Sequence, residues 1–263
     1  KQHCPNPVNI HLSDMTYATR HLYPAMPPRK VALKVGGCAP FSATDYPGQL
    51  AAVIFVQGCP WRCGYCHNPH LQERTPDSAI DWNALLDFLN RRVGLLDAVV
   101  FSGGEPTLDP ALGSAIRAVR RLGFKIGLHT AGTHPARLLE ILPWVDWIGL
   151  DIKAEFSHYD AITQRSNSAA APLRSLQLLL NEDVLFECRS TIHPQLHSPA
   201  SVQALGQHLH ELGVQRYAVQ IFRTQGCNDD FLNETGQALQ AYPGTEVLEN
   251  LQKLFPHFEV RRS

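Results

Sequence analysis

Cys59, Cys63 and Cys66 stand in CxxxCxxC spacing within GCPWRCGYCHNP, directly after the apolar run Ala51 to Val56. Three thiolates that close on one short loop can hold three irons of a [4Fe–4S] cluster. Such clusters ordinarily take four cysteines, so the fourth iron is left for a small molecule. Two other chemistries use the same residues. His67 could complete a tetrahedral Cys3His zinc site. Zinc sites usually pair two short ligand clusters across a loop, however, and these candidates all fall within nine residues. Disulfides rank last, because seven Cys is an odd number and a chain of 263 residues can bury a core without staples.

A second constellation follows a second apolar run. In Ser102-Gly103-Gly104-Glu105-Pro106 the paired glycines allow a sharp turn and a close backbone approach to a ligand. Glu105 is an acceptor for a ligand ammonium. Alone this is a glycine-rich turn with one acid. After CxxxCxxC, and one strand further on, it resembles the motif with which radical S-adenosylmethionine (SAM) enzymes hold the SAM amino group.

The resemblance narrows along FSATDYPGQLAAVIFVQGCPWRCGYCHNP, which is similar to the activating enzymes of glycyl-radical enzymes. It is nearest to activators of anaerobic ribonucleoside-triphosphate reductase, with pyruvate formate-lyase activase more distant. Asp45-Tyr46-Pro47-Gly48 and the YCHNP around Cys66 carry it, and it runs from about Val35 to Phe222. No Cys lies between Cys66 and Glu105, so the Cys-rich ferredoxin-like insert of some activators is missing and a single-cluster form is expected. The resemblance implies a [4Fe–4S] cluster on Cys59, Cys63 and Cys66, and SAM beside it. No catalytic residue is implied beyond these cofactor ligands. An electron from flavodoxin or ferredoxin cleaves SAM, and the 5′-deoxyadenosyl radical takes a hydrogen from a glycine of the partner enzyme.

Further site residues come from the same resemblance. Leu150-Asp151-Ile152-Lys153 resembles a D-x-K segment, and Asp151 and Lys153, two apart on a strand, face the same way. They are expected at the SAM ribose and carboxylate, the alternative being a strand-end ion pair of little worth. His129-Thr130-Ala131-Gly132 replaces the family's Asp-Thr-Asn-Gly. Thr130 is expected at SAM, while His129 stands where an acid helps bind a monovalent cation, which puts that cation site in question. Arg189 resembles an arginine near substrate, and Arg223 falls near a histidine at the adenosine. Tyr65 is expected to pack near adenine, and Trp61 either shields the cluster or packs the loop. Cys4, Cys38, Cys188 and Cys227 show no paired spacing and read as structural thiols.

These residues need strands to present them. Strand patterns occur at Ala51–Gln57, Ala98–Ser102, Lys125–Thr130, Trp147–Ile152, Leu185–Ile192 and Tyr217–Phe222. Helical patterns alternate with them at Asp81–Val93, Pro110–Leu122, Pro135–Leu142, Pro172–Leu180, Pro199–Leu212 and Thr245–Phe255. Asp77 or Ser78 is expected to cap the first helix, and Asp109 the second, with Gly123 closing it. Strand–helix alternation means parallel βαβ units with right-handed crossovers. Periodicity alone leaves a doubly wound sheet or a barrel. Either places chemistry at the C-terminal strand ends, where both motifs lie. The resemblance implies an α/β partial (β/α)6 barrel of the radical SAM type. The domain is expected over 31–263, after an irregular, Pro-rich arm over 1–30.

Composition bounds the partners. Twenty-three basic residues against 24 acidic give no call for nucleic acid or an anionic membrane. Apolar runs are too short to span a bilayer, and no signal peptide is recognisable. Reduced cysteines fit a cytoplasmic setting. Two rivals share the motifs: a radical SAM enzyme for another glycyl-radical enzyme, a small molecule or a peptide, and a non-catalytic metal-binding scaffold. A scaffold has no need of a SAM pocket, which GGEP and the strand-end acid and base together suggest.

Overall fold

The computed structural model describes residues 32–236, 239 and 241–262. The expected arm over 1–30 and Cys4 lie outside them. One sheet of eight strands runs in sequence order: β1 (Val35–Ser42), β2 (Ala51–Val56), β3 (Ala98–Gly103), β4 (Lys125–Thr130), β5 (Trp147–Asp151), β6 (Leu185–Ile192), β7 (Arg216–Ile221) and β8 (His257–Arg261). β1 pairs antiparallel with β2, and every later pairing is parallel. β1 and β8 have one neighbour each, so the sheet is open. β2 to β7 are the six strands of the expected partial barrel, each within a residue of its sequence bounds. The pattern missed β1 and β8. β1, VGGCAPFS, is glycine-rich and half-exposed, and β8, HFEVR, is polar, so neither shows the apolar run of a buried strand.

Among the described residues eight α-helices connect the strands: α1 (Trp82–Asn90), α2 (Leu112–Arg121), α3 (Pro135–Ile141), α4 (Tyr159–Thr163), α5 (Ala170–Asn181), α6 (Pro199–Glu211), α7 (Asp230–Thr235) and α8 (Thr245–Leu254). Their starts correct two expected caps. Asp81 caps α1, accepting from the Ala84 N–H at 2.9 Å, in place of Asp77 or Ser78. α2 begins at Leu112, not Pro110, after a turn over Pro110 and Ala111 that Asp109 closes through its carbonyl, which accepts the Leu112 N–H at 3.1 Å. Its carboxylate is fully buried, bonds the Ala111 N–H at 2.8 Å and pairs with Arg74 at 2.7 Å. α2 then buries Leu112, Ala115, Ile116 and Val119, an i, i+3, i+4, i+7 stripe. Gly123 follows at φ +97 and lets the chain turn into β4.

Apolar residues pack on both faces of the sheet. Outside, the helices cover Ile54, Phe101, Leu128, Ile148 and Val219. Inside, Tyr46 stacks on Trp147 with ring centroids 5.2 Å apart. They join Val53, Ala98 and Val100 to plug the barrel at the N-terminal strand ends. With that end filled, the inward-facing polar residues lie towards the C-terminal strand ends. No helix among the described residues is long and apolar enough to cross a membrane.

Candidate active site

The cysteine loop begins where β2 ends. Gly58, at φ +98, donates its N–H to Leu71 O at 2.8 Å, and Cys59 donates to Gln72 O at 3.0 Å. Arg62 then anchors the loop twice. Its N–H reaches Thr163 O at 3.0 Å, and its guanidinium binds Cys59 O and Trp61 O, each at 2.8 Å. A turn closes from the Cys66 N–H to Cys63 O at 3.1 Å. All three cysteines, each half-buried, open onto one cavity of about 220 Å³. Burial pushes the Cys59 thiol up to about 12, against a backbone N–H from Trp61 that lowers it. Burial also raises Cys63, opposed by Lys153. Thiols that resist ionisation become ligands only when a metal displaces their protons into solvent.

The GGEP turn is laced to this loop. At Gly103, φ +119, a Cβ would sit 2.3 Å from Val56 N, and at Gly104 one would sit 2.3 Å from Gly58 O. Only glycine permits that approach. Gly104 donates to Val56 O at 2.9 Å and Glu105 to Gly58 O at 2.7 Å. Ser102, Gly103, Gly104 and Thr130 line the cavity. Glu105, expected as a ligand acceptor, is not among the lining residues. Its carboxylate is fully buried behind the wall. It accepts from Thr107 N (3.0 Å), Thr107 Oγ1 (2.6 Å), Thr130 Oγ1 (2.7 Å) and Ala131 N (2.8 Å). Glu105 is a strut that fixes the turn and the end of β4.

A charged triad stands on the far wall. Asp151 pairs with Lys153 at 3.1 Å and with Arg189 at 2.8 Å, and all three line the cavity. Burial opposes ionisation of Asp151, but Arg189 and Lys153 outweigh it and hold the carboxyl well below its usual range. Burial likewise opposes charge on Lys153, and Asp151 prevails, raising it well above the ordinary lysine value. Gly149 makes room for Arg189, since a Cβ there would lie 2.5 Å from the guanidinium carbon. His129 is drawn down to about 3 by burial and by Arg189, and its Nε2–H donates to Asp45 O at 2.8 Å. It is a neutral imidazole where an acid was the expected pattern.

Tyr65 lines the cavity with its hydroxyl buried and unpartnered, and Lys153 Nζ stands 5.8 Å from its ring centroid. Trp61 lines the cavity and also packs edge-on against Tyr159, centroids 5.8 Å apart, so it both walls the site and holds the loop. Arg223, expected near the adenosine, is not among the lining residues either. Its side chain is exposed and off the cavity, and only its carbonyl takes part, accepting from His67 at 2.9 Å. The sequence reading missed Asp45, Thr191 and Gln220 on the cavity wall. Thr191 sits two residues beyond Arg189 on one face, and Gln220 is the lone polar residue in Tyr217–Phe222. Either signal marks an inward position.

The donor set suits a cluster better than a single ion. Three thiols from one loop share an open cavity, while His67, the fourth donor of a Cys3His set, has its Nε2 engaged with Arg223 O at 2.9 Å.

The profile of the Radical SAM superfamily matches residues 53–194. A protein of Methanocaldococcus jannaschii, provisionally named a glycyl-radical enzyme activating enzyme, is 29% identical over 244 residues, covering 84% of this chain and 98% of that one. The pyruvate formate-lyase-activating enzyme of Clostridium pasteurianum is 36% identical over 114 residues, 41% of this chain and 48% of that one. The crystal structure of Streptococcus suis SuiB bound to precursor peptide SuiA superposes with a TM-score of 0.61 at 14% identity, over 80% of this chain and 48% of that one. At that identity the likeness speaks for the fold.

Proposed function

We propose that this chain, which belongs to the radical SAM superfamily, is an activase that generates a glycyl radical on a partner enzyme, anaerobic ribonucleoside-triphosphate reductase. One observation carries the reading. The cysteine loop, the glycine turn and the Asp151–Lys153–Arg189 triad converge on one cavity. Similarity over 84% of this chain and 98% of the Methanocaldococcus jannaschii protein, provisionally named an activating enzyme, supports it. The choice of reductase rests on the Asp45–Gly48 and YCHNP segments.

The superfamily's [4Fe–4S] cluster and SAM supply, when bound, one-electron cleavage of a sulfonium and removal of a hydrogen atom from substrate. This chain's residues bind and orient them. Cys59, Cys63 and Cys66 hold three irons and leave the fourth open. Ser102, Gly103, Gly104 and Thr130 offer hydroxyls and close-approaching backbone to the amino-acid end of SAM. Lys153 and Arg189 share one carboxylate, so the triad keeps one positive charge for the SAM carboxylate, and Asp151 accepts from the ribose. Tyr65 presents an aromatic face to adenine. Trp61 and Tyr65, both buried, exclude water from the loop side.

The charge balance bears on the substrate. Two carboxylates, Asp45 and Asp151, face two cations, Lys153 and Arg189, beside a neutral His129. With the triad's one surplus positive charge taken up by the SAM carboxylate, the wall suits the uncharged main chain of a glycine loop and gives an anionic nucleotide no further cation to bind. Thr191 and Gln220 add groups that can bond peptide amides. The partner's glycine loop enters over the cysteine-loop face, and cross-links that place the partner elsewhere would sink this docking. Flavodoxin or ferredoxin is the electron donor in a cytoplasmic setting.

The test is anaerobic. The chain is reconstituted with iron and sulfide, reduced and given SAM, with and without the reductase. We expect 5′-deoxyadenosine and a glycyl doublet in the paramagnetic resonance spectrum of the reductase. SAM cleavage without the doublet rejects this partner. No cleavage and bound zinc reject the activase.

A further inference from the structure

The cysteine loop leaves β2, yet its second half is gripped by the segment after β7, five strands away in the sheet. His67 Nε2–H donates to Arg223 O at 2.9 Å, and its ring stacks on Phe222 with centroids 5.5 Å apart. Gly226, at φ +87, lies so close that a Cβ would stand 2.4 Å from His67 O. The Cys227 thiol donates to Gly64 O at 3.4 Å and accepts from the Asp229 N–H at 3.4 Å. The segment is in turn tied to α7. Asn233 Nδ2 donates to Cys227 O at 3.0 Å, and Asp229 caps the helix at the Leu232 N–H, 3.0 Å away. These contacts are independent of one another, and the proposed chemistry uses none of them.

Gly64 directly follows Cys63, and His67 directly follows Cys66. We infer that residues 223–229 form a latch that sets the positions of Cys63 and Cys66 by fixing the residue after each. This rests on the reading of the loop as an iron–sulfur ligand loop. The physical reason is the loop's own poverty of order. Between Cys63 and Cys66 lie only Gly64 and Tyr65, with the single turn from Cys66 N to Cys63 O. Ligands must be held within about 0.5 Å of productive geometry, so that order has to come from outside. Gln72 and Thr163 fix the first half through Cys59 and Arg62. The latch fixes the second. Cys227 is thus a positioning residue, neither a ligand nor a spare thiol.

The test compares the unaltered full chain with Cys227→Ala, Cys227→Ser and Gly226→Val after anaerobic reconstitution. Iron and sulfide per chain, the visible and paramagnetic resonance spectra, and the rate of iron loss to a chelator are measured. Far-UV circular dichroism checks folding. Cys227→Ala is expected to lose iron about threefold faster, the range of one modest hydrogen bond. Cys227→Ser restores the rate, because a hydroxyl also donates to Gly64 O. Gly226→Val is expected to keep its dichroism, lose most bound iron and broaden the spectrum. Amides of 223–232 should gain exchange protection on reconstitution. If Cys227→Ala and Gly226→Val hold iron at the unaltered rate with an unchanged spectrum, the latch is wrong. If the unaltered chain takes up no cluster, the reading beneath the latch falls and the latch with it.

Discussion

At the scale of single residues, Glu105 and Asp151 show how the same side-chain type does different work. Glu105 accepts four hydrogen bonds inside the protein, three on Oε1 and one on Oε2, and is fully buried. Glu105→Gln would turn an amide nitrogen on donors. It should lower the apoprotein's stability by about 2 kcal/mol, the cost of leaving buried groups unpaired, seen as a lower urea midpoint with no SAM present. A ligand role alone would leave that midpoint unchanged. Asp151 balances two cations from a half-buried position, and losing its charge-assisted hydrogen bonds costs about 2 kcal/mol. Its carboxyl is held below the usual range, so the folded state binds its proton less readily than the unfolded chain. That stability is present above about pH 4, the unfolded value, and is lost as pH falls towards the folded one. The gap in urea midpoint between the unaltered chain and Asp151→Asn should therefore be steady from pH 5 to 7 and narrow below about pH 4. A gap independent of pH down to about 3 would deny the triad its charge.

At the scale of elements, the site is two loops sharing one backbone ladder. Gly58 O receives the Glu105 N–H, and Gly104 has no room for a side chain against it. Gly104→Ala should push the cysteine loop off the glycine turn while the sheet stays intact. The check is iron content after reconstitution against far-UV dichroism, and we expect the first to fall and the second to hold. Full iron retention would show that the loops move independently. A control lies on the outer layer. At Gly206 a Cβ would meet Leu251 Cδ2 at 2.0 Å, so α6 and α8 touch almost backbone to side chain. Gly206→Ala should cost about 1–3 kcal/mol by overpacking and leave iron binding unchanged.

At the scale of the whole molecule, the cysteine loop connects parts distant in sequence. It is fixed to Leu71 and Gln72 beside it, to Thr163 after β5 and to Arg223–Cys227 after β7. A group bound by that loop acts on all three attachments, and binding to the folded state alone raises stability by mass action. Iron chelation should lower the melting temperature of the whole domain in a single transition. A melt that loses only a local step would place the loop outside the cooperative unit.

Much of this is legible in the amino-acid sequence itself. CxxxCxxC, GGEP and the alternation of apolar strands with capped helices are local signals. They arise because ligand spacing on one loop, glycine at forced turns and burial of a strand are each decided by neighbours in sequence. That is why β2 to β7 and the three cysteines lie where the pattern places them. Tertiary structure alone decided the rest. Glu105 sits behind the wall because donors from Thr130 and Ala131 surround it. Arg223 leaves the site because its backbone, not its guanidinium, meets His67. Cys227, isolated in sequence, lies against Gly64 because β7 ends beside a loop that began at β2. β1 and β8 join the sheet without apolar runs, since an edge strand needs one hydrogen-bonding neighbour and little burial. Composition and spacing carry short-range physics, whereas the partner of a buried polar group is set by which chain segments the barrel brings side by side.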